Sequence, residues 1–310
     1  MFKKAAKSIG AALMYFGIYL AWQIIVVFWA MFGIMMVMSF SAGADMGNEM
    51  VQSGVEYSYE EIMSISQERE AEIAIEASEI ILDYAVHLTA LAGILTIITY
   101  IVMFKIRKKN FFEQVGLRRI SPLICGVMLL LGAALNFATV FILSIIPFPK
   151  QWWDEYSAQA SAMVEADLWA TVLLSVIIAP VLEEIVFRGL VHTRLKKCIP
   201  MLAAMIISAW LFGVMHGAMI WFIYASVFGF ILAWVYEKYK SLLAPIMLHF
   251  GFNLCGTLVS EVENVPAIVC IIAVLLSACG IAFVQLTSKN KIEFLPVKAE
   301  KTSSDTGASE

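Results

Sequence analysis

Charge is scarce in this sequence. Only 15% of its 310 residues are Asp, Glu, Lys or Arg, against about 25% in an ordinary soluble domain. Hydrophobic residues make up 61%, and mean hydropathy is +0.83. These values exclude a soluble enzyme with one anchor and imply a polytopic membrane protein. No basic patch with interleaved aromatics occurs, so nucleic acid is not an expected partner. No glycine-rich phosphate loop and no internal repeat occur either. The five cysteines (Cys125, Cys198, Cys255, Cys270, Cys279) lie in or beside apolar runs, none in a C-x-x-C pair. They read as small buried hydrophobes, with no disulfides expected. An H-E-x-x-H helix is missing, and no Ser or Cys stands in motif spacing with a histidine. The usual sequence signatures of a zinc peptidase and of a serine or cysteine peptidase are therefore lacking.

Long apolar runs are what the chain has. A helix needs about 20 residues to cross the hydrocarbon core. Eight runs have that character: Ile9–Phe40, Ile80–Phe104, Leu123–Pro147, Leu168–Leu190, Ile199–Met215, Ala218–Tyr236, Leu242–Val259 and Val265–Leu286. The first is too long for a signal peptide and lacks a small-residue cleavage site, so it is expected to remain as a span. Loop charges alternate. Lys3, Lys4 and Lys7 precede the first run, and Lys105 to Arg119 follow the second. Arg194, Lys196 and Lys197 follow the fourth, and Lys238 and Lys240 the sixth. The intervening Ser41–Glu79 loop holds ten acidic residues with Arg69 as its only base. The positive-inside rule then places both termini in the cytoplasm, in a plasma membrane. The predicted fold is all-α, with about eight transmembrane helices and a core of four helices around a polar intramembrane cavity. The chain divides into residues 1–167 (three spans and the acidic loop 41–79), 168–287 (the core spans) and a polar cytoplasmic tail, 288–310.

Within the loop, Ser58-Tyr59-Glu60-Glu61 has capping-box spacing and predicts an acidic helix outside the membrane. Trp152, Trp153 and Tyr156 read as interfacial anchors. Asp83 and His87 are four apart and read as a polar pair near the headgroups.

The larger cost lies elsewhere, in ionisable groups placed within apolar runs. Ala179-Pro180-Val181-Leu182-Glu183-Glu184-Ile185-Val186-Phe187-Arg188 sets two carboxylates and a guanidinium in the fourth run. Each such group costs several kcal/mol in hydrocarbon and by default marks a functional site. One arginine cannot neutralise two glutamates, so the second carboxylate needs another partner. Glu184 and Arg188 are four apart, a same-face spacing, which makes them the structural pair and leaves Glu183 as the working base. Phe212-Gly213-Val214-Met215-His216 closes the fifth run. His249 and Asn253 lie one helical turn apart in the seventh. Two His, an Asn and two Glu on three spans are most economically placed around one polar site. Pro180 should kink its helix and free a backbone carbonyl.

Glu with His can activate a water, and His249 with Asn253 can donate to the oxyanion formed when that water attacks a carbonyl. Peptide hydrolysis therefore fits. A zinc site with Glu183, His216 and His249 as ligands is the rival account, although Asn253 suits an oxyanion better than a metal. A depth count exposes one mismatch. At 1.5 Å per residue, Glu183 lies roughly 20 Å from Lys196, whereas His216 lies roughly 28 Å from Lys197.

Glu183-Glu184-x-x-x-Arg188, then Phe212-x-x-x-His216, then His249-x-x-x-Asn253 resemble, in order and on separate spans, the CAAX-processing and bacteriocin-processing intramembrane proteases, also called the abortive-infection or type II CAAX prenyl endopeptidase family. The resemblance covers about Leu168 to Asn253. It implies an eight-helix membrane protease with a site opening toward the cytoplasm. It also implies that Glu183 and His216 activate water while His249 and Asn253 hold the oxyanion. The family has been described both as metal-dependent and as glutamate-type. The substrate implied is a peptide or membrane protein, lipidated or not, and the chain is bacterial in style. Two other classes of function stay open: a non-catalytic scaffold or bacteriocin-immunity protein on the same fold, and an ion or proton carrier using the buried Glu and His.

Overall fold

The computed structural model describes residues 2–164, 168–259 and 266–288. Secondary structure among them is helical throughout. The tail from 289 onward, with Lys289 and Lys291, and the Glu261 and Glu263 loop lie outside the described residues. So does Asp167, at the boundary between the first two segments.

Helix α1, Phe2–Ser53, is continuous over 52 residues. At 1.5 Å per residue it is about 78 Å long, well over twice the ~30 Å hydrocarbon thickness. The stretch 41–53, expected as loop, is thus helix, because its Ala, Met and Glu residues continue the turn and nothing caps it before Ser53. Gly54, at φ +64, ends it in the left-handed region open to glycine. Helix α2, Tyr59–Asp83, then returns along α1. Ser58 caps it with both halves of the capping box in place: Ser58 Oγ accepts from the Glu61 N–H, and the Glu61 carboxylate accepts from the Ser58 N–H at 2.8 Å. The acidic loop is therefore mostly a helical hairpin.

Helix α3, Ala85–Ile106, follows after a one-residue break at Tyr84. That break changes the register, and the expected Asp83–His87 pair does not form. No hydrogen bond or ion pair joins them, and His87 meets the Tyr84 ring instead. The short helix α4, Phe111–Val115, leads to α5, Pro122–Ile145, which is capped by Ser121 with Pro at its first position. Helix α6, Lys150–Val164, carries Trp152, Trp153 and Tyr156. Tyr156 packs on Trp221 and so ties α6 to the core.

The helix α7, 168–195, is the organising element. It alternates between α-helical stretches (Leu168–Thr171, Ala179–Glu184, Thr193–Leu195) and the wider π form (Val172–Ile178, Ile185–His192). Helices α8, Met201–Val214, α9, Met219–Tyr239, α10, Leu243–Val259, and α11, Ala267–Thr287, complete the chain.

Helices α1, α3, α5, α9 and α11 are long and apolar enough to cross a membrane. The other three predicted runs differ in form: α7 is interrupted by two π stretches, while α8 and α10 are shorter apolar helices. The shortness of α8 accounts for the depth mismatch at His216. Residues 196–200 form turns rather than helix, so the helical rise counts from Met201. His216 then lies roughly 22 Å beyond that point.

Helix α5 packs along α10 and α11, α8 along α9, and α1 against α2, α3 and α7. The α5–α10 crossing brings backbones together. A Cβ at Gly132 would overlap the Leu248 carbonyl, and one at Gly251 would overlap the Leu129 carbonyl. Such small-residue contacts are how helices pack tightly where lipid supplies no hydrophobic drive. The outward faces stay apolar: Leu130, Val227 and Leu275 are each exposed by 57% or more, as expected of side chains that meet acyl chains.

The basic segments meet at one end of the bundle. Ser241 Oγ donates to the Arg118 carbonyl, the Leu242 N–H to the Gly116 carbonyl, and Arg194 to Gln114. All five cysteines are unpaired.

Candidate active site

The α-helical stretch Ala179–Glu184 presents the two carboxylates. Glu184 is fully buried and Glu183 is not: the Glu183 side chain keeps 17% of its surface accessible. Arg188 Nη1 donates to Glu184 Oε1 at 2.7 Å, both side chains at 0% exposure. Its Nη2 donates to the Gly229 carbonyl of α9 at 2.9 Å, and its guanidinium carbon stands 4.5 Å from the Phe212 ring centroid. The pair expected from spacing is formed, and it clamps α7 to α8 and α9.

The partner for the second carboxylate is His249. Its Nδ1 is 3.1 Å from Glu184 Oε1 and its Nε2 is 3.8 Å from Glu183 Oε2. The first is a hydrogen bond. The second is ion-pair distance, beyond hydrogen-bond reach. Phe228 of α9 and Phe212 of α8 wall the imidazole, with ring centroids 5.3 and 5.8 Å away.

His216 lies just past the end of α8. Its Nδ1–H donates to the Phe212 carbonyl at 2.9 Å, and its ring sits 4.7 Å from the Phe212 ring. Because a carbonyl only accepts, this bond assigns the proton to Nδ1 and leaves Nε2 as the acceptor of the neutral ring. No hydrogen bond or ion pair joins His216 to Glu183. Asn253, one turn beyond His249, donates from Nδ2 to the Ser175 carbonyl of α7 at 2.8 Å.

Sequence reasoning had singled out Glu183, Glu184, Arg188, Phe212, His216, His249 and Asn253. Glu184, Arg188, His249 and Glu183 form one contiguous cluster, with Phe212 touching Arg188 and both histidines. Asn253 and His216 flank it without touching the carboxylates. Three participants were not legible: the carbonyls of Ser175 and Gly229, which carry no side-chain signal, and Phe228, one of many aromatics in an apolar helix. A second buried charge, Glu237 on α9, also went unremarked. It accepts from His192 at 2.8 Å, from Lys196 at 2.5 Å and from Lys240. Its signal was a lone acid among bases at a helix end.

The zinc account requires Glu183, His216 and His249 to converge. Both Nδ1 atoms are taken by protein acceptors, and among the described residues no three His, Cys, Asp or Glu side chains are grouped to hold a metal ion.

Residues 165–255 match the family model described as type II CAAX prenyl endopeptidase Rce1-like. That stretch, less than half of the chain, is similar to the type II CAAX prenyl endopeptidase family. The match runs from the start of α7 through most of α10, so every residue of the site lies inside it. A stretch of 82 residues is also 30% identical to the "Putative membrane peptidase YdiL" of Bacillus subtilis (strain 168). It covers 26% of this chain and 34% of that protein, about a third of the relative's length. No solved structure matches the chain. The family match leaves α1 to α6 and α11 outside it.

Proposed function

We propose that this protein is an intramembrane endopeptidase that hydrolyses a peptide bond with a water activated by Glu183, without a metal. The observation that carries the reading is the inequality of the two adjacent carboxylates. Glu184 is sealed and spent on Arg188 and His249, while Glu183 is partly accessible and makes no hydrogen bond.

The charges balance if His249 is an imidazolium: two carboxylates face one guanidinium and one imidazolium. In that state Nδ1–H is directed at Glu184 and Nε2–H remains as a donor on the Glu183 side. Glu183 takes a proton from water as the oxygen attacks the substrate carbonyl. The resulting oxyanion receives hydrogen bonds from His249 Nε2–H and from an Asn253 N–H. Collapse breaks the C–N bond, and Glu183 returns its proton to the leaving amine. His216 Nε2, an acceptor by its tautomer, orients the water.

The substrate is a peptide or a membrane-protein segment, lipidated or not. The test is proteolysis in liposomes of a peptide library holding farnesylated and non-prenylated sequences, with and without chelator. Chelator-resistant cleavage is expected, and the cleaved peptides name the substrate class. Cleavage lost to chelator and restored by zinc would overturn the metal-free chemistry. An intact library would overturn the peptidase reading in favour of a scaffold.

A further inference from the structure

The polar contact of Asn253 has its origin in the backbone of α7. In the π form each N–H bonds to the carbonyl five residues back. The Ala179 N–H does so, donating to the Leu174 carbonyl. The next bond in that register would run from residue 180 to the carbonyl of residue 175. Residue 180 is proline and has no N–H to give. The Ser175 carbonyl is thus left over by the helix, and it is the carbonyl that Asn253 Nδ2 reaches, at 2.8 Å.

We propose that Pro180 is a positioning residue for Asn253: by withholding the N–H that would serve the Ser175 carbonyl, it reserves that acceptor for the Asn253 amide. The inference rests on the peptidase reading for its catalytic meaning and on the geometry alone for the contact. A carbonyl accepts only, so it selects the NH₂ end of the amide and fixes which way Asn253 is flipped. One Nδ2 hydrogen is then bound to Ser175, and the other is held in the amide plane as a donor. The other oxyanion donor, His249, lies one turn away on the same helix face. Pro180 precedes Glu183 by three positions, so one backbone defect sets the donor on α10 relative to the base on α7.

Pro180→Ala restores the missing N–H, which then competes for the Ser175 carbonyl and releases Asn253. Two readouts follow. In purified full-length protein with 15N-labelled asparagine side chains, the Asn253 NH₂ signal, assigned by its loss in Asn253→Ala, is expected to move in Pro180→Ala. The new amide at residue 180 is expected to be protected from exchange. With a cleaved substrate, kcat is expected to fall roughly 10- to 100-fold with KM changed less than about twofold. Pro180→Ala added to Asn253→Ala is expected to cost nothing further. An unmoved Asn253 signal, or full additivity of the two losses, would overturn the proposal. If wild type cleaves nothing, the peptidase reading fails while the amide signal still decides the positioning. Pro180→Ser restores the same N–H and serves as the second variant where Pro180→Ala does not fold.

Discussion

Replacing Arg188 with methionine keeps the bulk of the side chain's stem and removes its charge. The lost interactions are explicit: the 2.7 Å bond to Glu184, the 2.9 Å bond to the Gly229 carbonyl and the approach to the Phe212 ring. Both members of the ion pair have no exposed surface. Removing one partner of a buried pair leaves an uncompensated charge, which costs about 3–5 kcal/mol. The Gly229 carbonyl, left unpaired, belongs to the same network, so its ~1–3 kcal/mol is not simply additive. A net loss of about 3–5 kcal/mol is a large share of the ~5–15 kcal/mol that holds a typical fold. Glu184→Gln combined with Arg188→Met removes both charges and should recover part of that loss. Equilibrium unfolding in mixed micelles, followed by circular dichroism, measures both. If Arg188→Met falls within about 1 kcal/mol of wild type, as an exposed pair would, the clamp argument is wrong. It is equally wrong if the double variant is no more stable than the single.

Gly251→Ala should separate α5 from α10, because the added methyl meets the Leu129 carbonyl rather than a movable side chain. Overpacking of this kind costs about 1–3 kcal/mol, read by the same unfolding assay, and an unchanged midpoint would refute the crossing. Glu237→Gln should destabilise far more than Lys240→Met, since Glu237 is fully buried under three basic groups while Lys240 keeps 38% of its side chain exposed. Equal effects would show that the cluster is not a unit. At the exposed capping box, the Ser58 backbone N–H and hydroxyl hold the Glu61 carboxyl below its ordinary 4.5. Because the folded value is the lower one, its support for α2 is present above about 4.5 and fades as pH falls through the depressed value. Amide exchange in the first turn of α2 should quicken over that fall in wild type and be pH-flat in Glu61→Gln, which has no carboxyl to titrate, once intrinsic exchange is removed.

Composition and the eight apolar runs were enough to read an all-helical membrane protein, because burial in lipid leaves a run of about 20 apolar residues few other options. The capping box at Ser58 was legible because its geometry is local. The Glu184–Arg188 pair was legible because four-residue spacing survives the change from α to π form. The extent of α1 was not, since residues 41–53 carry charge that reads as loop yet has no breaker before Gly54. The Asp83–His87 pair failed on a single-residue break at Tyr84 that no side chain announces. The site was read residue by residue, but its wiring was not. That His249 faces both carboxylates, that His216 is turned to its own helix and that Asn253 is held by Ser175 depend on how α7, α8 and α10 cross. Pro180 announced a freed carbonyl. Which carbonyl was freed depended on the π register, which sequence periodicity does not carry.

The most direct test of the central claim separates catalysis from folding at Glu183. In the structure Glu183 makes no hydrogen bond and only the long 3.8 Å approach to His249, so Glu183→Gln is expected to purify as a folded protein with the wild-type helical circular-dichroism spectrum. As the general base it should nevertheless abolish cleavage of any peptide the wild type cuts, a loss of at least ~10²-fold. A folded Glu183→Gln protein that cleaves at the wild-type rate would contradict the account.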